Sequence, residues 1–361
     1  MLLKEIYDEQ FLRRLATTIS KIDADFDTKK FLKTNLSGQE LKQRMRSIAL
    51  ALNDSLSPKK YQQKVAVLKE VAPLLAKDKN AGLALIIFPD FIELFGLGDF
   101  DFSMQALEFF TEFGTAEFAV RQFITLDCKR ALVFFQKWTK SKNHHVRRLA
   151  SEGCRPRLPW GEALAVFKKD PTVILPILEN LKCDESEYVR KSVANNLNDI
   201  SKDHPEILLQ LLTKWQGEVS QRLTKHALRG LLKKGDQRAL KLIGIERNIL
   251  SENFAIQSFA LQKDVLKISQ DLSFDFVLEN QAPNNKIRLE YAVYFLKKNG
   301  TSTKKIFQIT TKNFAKGVVS FTKKHSFRDL STRKHNAGRH FISLVINGVE
   351  FPKLQFDLIT K

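Results

Sequence analysis

The sequence predicts a mainly α fold, a HEAT-like helical-repeat solenoid, followed by a small C-terminal antiparallel β-sandwich of immunoglobulin-like type. Three observations predict it. Apolar residues recur at helical spacing from the start to about residue 265. Within that region a segment repeats at an offset of 43 residues. Beyond about residue 270 the spacing changes to alternation, with β-branched and aromatic residues between Asn/Gly turns.

Taken in order, MLLKEIYDEQFLRRLA carries charges from residue 4 onward and reads as an amphipathic helix, not a signal peptide. In QELKQRMRSIALALNDSL (39–56), Leu41, Ile48, Leu52 and Leu56 share a helix face. A Ser-Pro break separates it from KKYQQKVAVLKEVAPLL (59–75). HHVRRLASEGC (144–154) aligns with SEYVRKSVANN (186–196): Val146 maps to Val189, Arg147 to Arg190 and Ala150 to Val193. DFSMQALEFFT (101–111) lies about one period earlier, and RLTKHALRGLLKKG (222–235) is a shorter copy. A period of about 40–47 residues fits paired HEAT-type helices, whose stacking creates a curved binding surface. Six segments then read as strands: 272–280, 286–300, 301–311, 317–327, 339–351 and 354–360. The expected domains are 1–265, helical, and 271–361, the sandwich.

The chain has 361 residues with 59 Lys and Arg against 40 Asp and Glu, a net charge of +19. Residues 271–361 carry sixteen basic against seven acidic side chains, nearly half the excess in a quarter of the chain. A polyanion facing both domains, double-stranded DNA, accounts for that distribution; a basic but otherwise ordinary protein is the bland alternative. Cys128, Cys154 and Cys183 are odd in number and lack CxxC spacing, which argues against a disulfide framework or zinc site. No apolar run approaches the roughly 20 residues of a membrane span. A cytoplasmic monomer without membrane contact is expected.

Three stretches carry candidate chemistry. HHVRRLASEGCRPRLPW (144–160) ends a helix at Gly153 and Pro156, and a proline-stiffened loop should then project Arg155, Arg157 and Trp160. Guanidinium forks suit phosphate oxygens, and an indole face suits a cation or a sugar. Arg147 reads more simply as an inter-repeat hydrogen-bonding residue, and Trp160 could fill a gap between helices. In EYVRKSVANNLNDISKDHP (187–205), Val189, Val193, Leu197 and Ile200 form the buried stripe. Tyr188, Ser192, Asn195 and Asp199 form its neighbour. That second stripe could be a solvated face, an internal hydrogen-bond network or the lining of a groove. In TAEFAVRQFIT (115–125), Glu117 precedes Arg121 by four residues, which alone reads as a dipole-favoured glutamate with a helical partner. There is no phosphate loop, no dinucleotide fingerprint and no HExxH, and the seven histidines are scattered. No metal or other cofactor is expected.

HVRRLASEGCRPRLPW, SEYVRKSVANNLNDISKDHP, AEFAVRQF and KHALRGLLKKG together resemble the AlkC branch of the AlkD-like bacterial DNA glycosylases. LEYAVYFLKKNG and GRHFISLVING resemble the immunoglobulin-like domain of that branch. The resemblance implies excision of cationic alkylated bases, 3-methyladenine and 3-methylcytosine, from duplex DNA without base flipping. It implies catalytic roles for Glu117, Trp160 and Asp199, and DNA contacts near the lesion from Arg148 and Arg155. The loop and stripe readings add Arg157 and Asn195 as DNA-contacting residues. Two departures stand out: Gln122 where the family pattern has proline, and KHNAG (334–338) where an aromatic-proline-glycine turn is usual. Two rivals are a non-catalytic binder of distorted or branched DNA and a protein-interaction solenoid.

Overall fold

The computed structural model describes residues 2–56, 58–78, 81–245, 254–281, 285–330 and 334–360. The chain forms two compact units: residues 1–204 with 218–227, and residues 205–217 with 228–361.

The first unit is helical. Its opening helix, Glu9–Ile22, starts where the Asp8 carboxylate accepts the Phe11 N–H at 2.7 Å. Phe11, Leu12, Leu15, Ala16 and Ile19 are buried along one face. The 43-residue repeat is visible in three dimensions. Helices His144–Glu152 and Glu187–Ile200 pack on each other through the predicted stripes, with Val146, Leu149 and Ala150 on one and Val189, Val193 and Leu197 on the other fully or almost fully buried. The two matched arginines do the same work. Arg147 Nη1 donates to the carbonyls of Ser141 and Lys142, both at 3.0 Å. Arg190 Nη1 donates to Asp184 O and, at 2.8 Å, to Glu185 O, each carbonyl 43 residues further on. Arg147 also forks onto Asp184 at 2.6 and 3.0 Å, tying its repeat to the next. Its role is structural. Within the described residues no helix is long and apolar enough to cross a membrane.

The second unit is a β-sandwich with short helices. Its strands are β1 (Phe254–Leu261), β2 (Val265–Lys267), β3 (Asp271–Asn280), β4 (Asn285–Leu296), β5 (Ser302–Phe314), β6 (Gly317–Ser326), β7 (Gly338–Ile346), β8 (Val349–Glu350) and β9 (Leu354–Ile359). One sheet runs β1-β3-β6 and the other β2-β9-β7-β4-β5, with β8 on β7. Among the described residues every pairing is antiparallel except β2 with β9. Alternation fills the core: Leu272, Phe274, Phe276 and Leu278 from β3 join Leu289, Tyr291, Val293 and Phe295 from β4. The β7–β8 hairpin turns on Asn347 and Gly348, both at positive φ (47° and 79°), as a two-residue type I′ turn requires. Gly348 also presses against Gly235, where any Cβ would lie 2.6 Å from the Gly235 Cα, so a side chain there would pry a helical connection off the sheet.

Two expectations are corrected. The helical pattern does not continue to residue 265, since Phe254–Leu261 is a strand. A β-bulge between Ile256 and Ser258 breaks its alternation, which hides the period from a sequence reading. The segment 339–351, expected as one strand, is a hairpin.

Candidate active site

The loop after helix His144–Glu152 is set by close packing and one arginine. At Gly153 a Cβ would lie 2.7 Å from Val120 Cγ2, so a side chain there would push the chain away from Val120. Arg121 donates from Nη1 to the carbonyls of Gly153 (3.2 Å) and Arg155 (2.9 Å), and from Nε to that of Glu162 (2.6 Å). It thus ties both ends of the loop. Burial lowers its pKa to about 10, which still leaves a cation at neutral pH. Gln122 reaches the same loop through Glu162 at 3.4 Å.

The tip is a β-turn. Gly161 N–H donates to Leu158 O at 3.1 Å, Pro159 occupies the second position, and Trp160 occupies the third with φ 63°. These are the marks of a type II turn, whose third position normally takes glycine. A non-glycine residue in left-handed conformation costs about 1–2 kcal/mol. The strained residue is also the most exposed large aromatic of the unit, with 66% of Trp160 open to solvent. The other two tryptophans, Trp138 and Trp215, are fully buried. An exposed indole held in an unfavourable backbone conformation fits a functional role better than the gap-filling alternative.

Beside the loop, charges alternate in a connected line. Glu117 sits in the turn before helix Val120–Leu126, 8% exposed. Its Oε2 accepts from the Thr115 hydroxyl at 2.7 Å and pairs with Arg148 Nη1. Arg148 Nη2 lies 3.4 Å from Glu152 Oε1, which also pairs with Arg155 Nη1 at 2.6 Å. Arg155 Nε donates to Asp199 Oδ2 at 2.8 Å, and Lys202 approaches Asp199 Oδ1 at 2.9 Å. Burial pushes the Arg155 pKa down, but the Glu152 and Asp199 carboxylates more than offset it. Glu117 is therefore not partnered by Arg121, as helical spacing alone suggested, but by an arginine from the next repeat.

The second stripe of helix Glu187–Ile200 forms an internal network over much of its length, with Tyr188 also on a cavity wall. Ser192 Oγ donates to Glu152 Oε2 at 2.6 Å, the Tyr188 ring lies 4.9 Å from the Arg148 guanidinium, and Asp199 holds Arg155. Asn195 Oδ1 lies 2.9 Å from His226 Nε2.

Glu117, Glu152, Arg155 and Trp160 line one cavity of about 320 Å3, walled otherwise by apolar side chains such as Met45, Phe118 and Leu158. Arg148 faces a neighbouring cavity of about 250 Å3 with Thr115, His145 and Tyr188. Three of the candidate residues are held by other side chains. Asp199 does not reach the cavity wall: it is 1% exposed, behind Arg155. Arg155 does not project from the loop: it is 5% exposed and claimed by two carboxylates. Arg157 does reach the surface but is forked on Asp203 at 2.6 and 3.0 Å. Glu152 and Lys42 were missed; the only sequence signal for Glu152 is its spacing, four residues after Arg148 and three before Arg155. Cys154 is no nucleophile, because burial pushes its thiol up to about 12. Among the described residues no cluster of His, Cys, Asp or Glu could hold a metal ion.

In the sandwich, Lys297, Lys298, Lys305 and Lys334 line a cleft of about 600 Å3 with His335 and His340. Four ammonium groups on one cleft make it attractive to an anion.

The chain is 42% identical to the Uncharacterized protein YhaZ of Bacillus subtilis (strain 168), covering 99% of both. It is 37% identical to Pseudomonas fluorescens alkylpurine DNA glycosylase AlkC, solved bound to DNA containing an abasic site analog, with a TM-score of 0.93 over 99% of this chain and 100% of that one. The family model described as DNA alkylation repair enzyme matches residues 100–231. The model described as Uncharacterised protein YhaZ, C-terminal Ig-like domain matches residues 255–360. The chain belongs to the AlkC-like family of DNA alkylation repair enzymes.

Proposed function

We propose that this protein is a monofunctional DNA glycosylase of base excision repair. It hydrolyses the N-glycosidic bond of cationic alkylated bases, 3-methyladenine and 3-methylcytosine, in duplex DNA without flipping the base, and leaves an abasic site. The observation that carries this reading is the pairing of a nearly buried carboxylate, Glu117, with an exposed, strained indole, Trp160, on one cavity.

A base methylated on a ring nitrogen already carries positive charge, so it departs as a neutral molecule with the bonding electron pair and needs no general acid. The demanding part is the oxocarbenium-like sugar. Glu117, pre-oriented by Thr115 and Arg148, stabilises that cation and directs water to C1′; the proton lost by the water passes to the carboxylate and on to solvent. The Trp160 face against the deoxyribose contributes about 0.5–2 kcal/mol. Asp199 acts one step back, holding Arg155 at the wall, while Arg148 fixes Glu117. Arg157 and Asn195 lie outside the cavity lining and contact flanking DNA in this reading, as does the lysine cleft of the sandwich. The protein works as a cytoplasmic monomer whose HEAT-like repeats lie in the helical part of the chain, before β1, and whose DNA-binding sandwich begins at β1 rather than at residue 271. Similarity to AlkC supports the reading. Incubation with methylated duplex DNA should release free 3-methyladenine and leave alkali-labile sites; binding of that DNA without release would favour a non-catalytic binder.

A further inference from the structure

We propose that Lys42 is a positioning residue for Trp160, holding the indole in its working orientation through the backbone; the inference rests on the function proposed above. Lys42 lies at the start of helix Leu41–Ser55, far in sequence from the loop, yet its ammonium donates to the Trp160 carbonyl. The same ammonium sits 4.7 Å from the centroid of the Phe118 ring, the residue after Glu117. Lys42 also lines the cavity that Glu117 and Trp160 share.

The turn needs such a restraint. Trp160 occupies a backbone conformation that a tryptophan disfavours, at φ 63°. Arg121 ties the loop at residues 153, 155 and 162 but does not touch its tip. The Leu158–Gly161 hydrogen bond closes the turn without fixing how the turn lies on the cavity. Lys42 supplies the missing point of attachment. A cation bridging the Trp160 carbonyl and the Phe118 ring links the indole to the carboxylate segment, so both catalytic groups keep one spacing. Being an ammonium near DNA, Lys42 has an obvious competing role as a phosphate ligand, and the test separates the two.

The test uses the full-length protein and Lys42→Met, which keeps the aliphatic stem but removes the donor, with Lys42→Arg as the conservative rescue. Trp138 and Trp215 are fully buried, so acrylamide quenching of intrinsic fluorescence reports Trp160. Lys42→Met is expected to raise the quenching constant about twofold in the free protein. It should also lower the single-turnover rate of 3-methyladenine release at saturating enzyme about tenfold. The slope of log affinity for undamaged DNA against log salt should stay unchanged, and Lys42→Arg should restore quenching and rate. Unchanged quenching overturns the proposal whatever the rate does. A slope shallower by about 0.9 with unchanged quenching assigns Lys42 to a phosphate instead. If the wild-type protein released no base, the functional reading would fail, while the quenching of the free protein would still decide whether Lys42 restrains Trp160.

Discussion

The strained Trp160 and the buried Arg155 pull stability and function in different directions. Glycine at position 160 would remove a left-handed penalty of about 1–2 kcal/mol and add a chain-entropy cost of about 0.5–1 kcal/mol. The ring that would be removed is mostly in solvent. Trp160→Gly should therefore raise the unfolding free energy by roughly 0.5–1 kcal/mol in urea melts while abolishing most base release. A variant that is destabilised by more than about 1 kcal/mol would show that the indole packs rather than acts. Arg155→Ala does the opposite: it leaves Glu152 and Asp199 buried with one cationic partner fewer each, and should cost about 3 kcal/mol. Arg157→Ala, half exposed on Asp203, should change stability by less than about 1 kcal/mol. At this scale the resemblance to a known family singled out Trp160 and Glu117, and both line one cavity. Arg155 does not project from its loop as expected, and the stripe of Asp199 stayed open between three readings, because residue type and spacing do not say which side chains another group has already claimed.

At the scale of single elements, helix Ile87–Phe95 carries a buried acid, Asp90, 2% exposed and 2.9 Å from Arg46. Burial raises its pKa to about 7, outweighing the attraction of Arg46. The folded state therefore binds a proton that the unfolded chain has already released. This group's contribution to stability is fully present below about pH 4 and is lost as pH rises towards 7. Asp90→Asn should flatten that part of the stability-pH curve, measured by urea midpoints from about pH 4.5 to about pH 7.5; an unchanged slope would mean that Asp90 stays ionised. The helices themselves were readable because their apolar residues recur at the right period, and the 43-residue offset matched Arg147 with Arg190; that both bind the equivalent carbonyls of their own repeats is seen only in the structure. β1 was not, because its bulge shifts the alternation by one residue in the middle of the strand. The β7–β8 turn was missed although Asn347-Gly348 is the strongest kind of short hairpin marker.

For the molecule as a whole, the charge excess was the first pointer to DNA, and the structure gathers part of it into the lysine cleft of the sandwich. Replacing Lys297, Lys298, Lys305 and Lys334 with glutamine should weaken DNA binding and make its salt dependence shallower by about 0.9 for each phosphate no longer neutralised. An unchanged slope would take the cleft out of the DNA interface. The architecture was legible from the 43-residue repeat and one change of period, but the division between units was not, since helices at 205–217 and 228–245 associate with the sheet domain through packing that no local pattern announces. The central claim is that Glu117 stabilises the sugar cation as an alkylated base leaves. Its most direct test is single-turnover release of 3-methyladenine from methylated duplex by Glu117→Gln, which keeps the acceptor for Thr115 and Arg148 but removes the charge. A drop of at least about 100-fold, with affinity for undamaged DNA nearly unchanged, is the predicted result; release at the wild-type rate would contradict it.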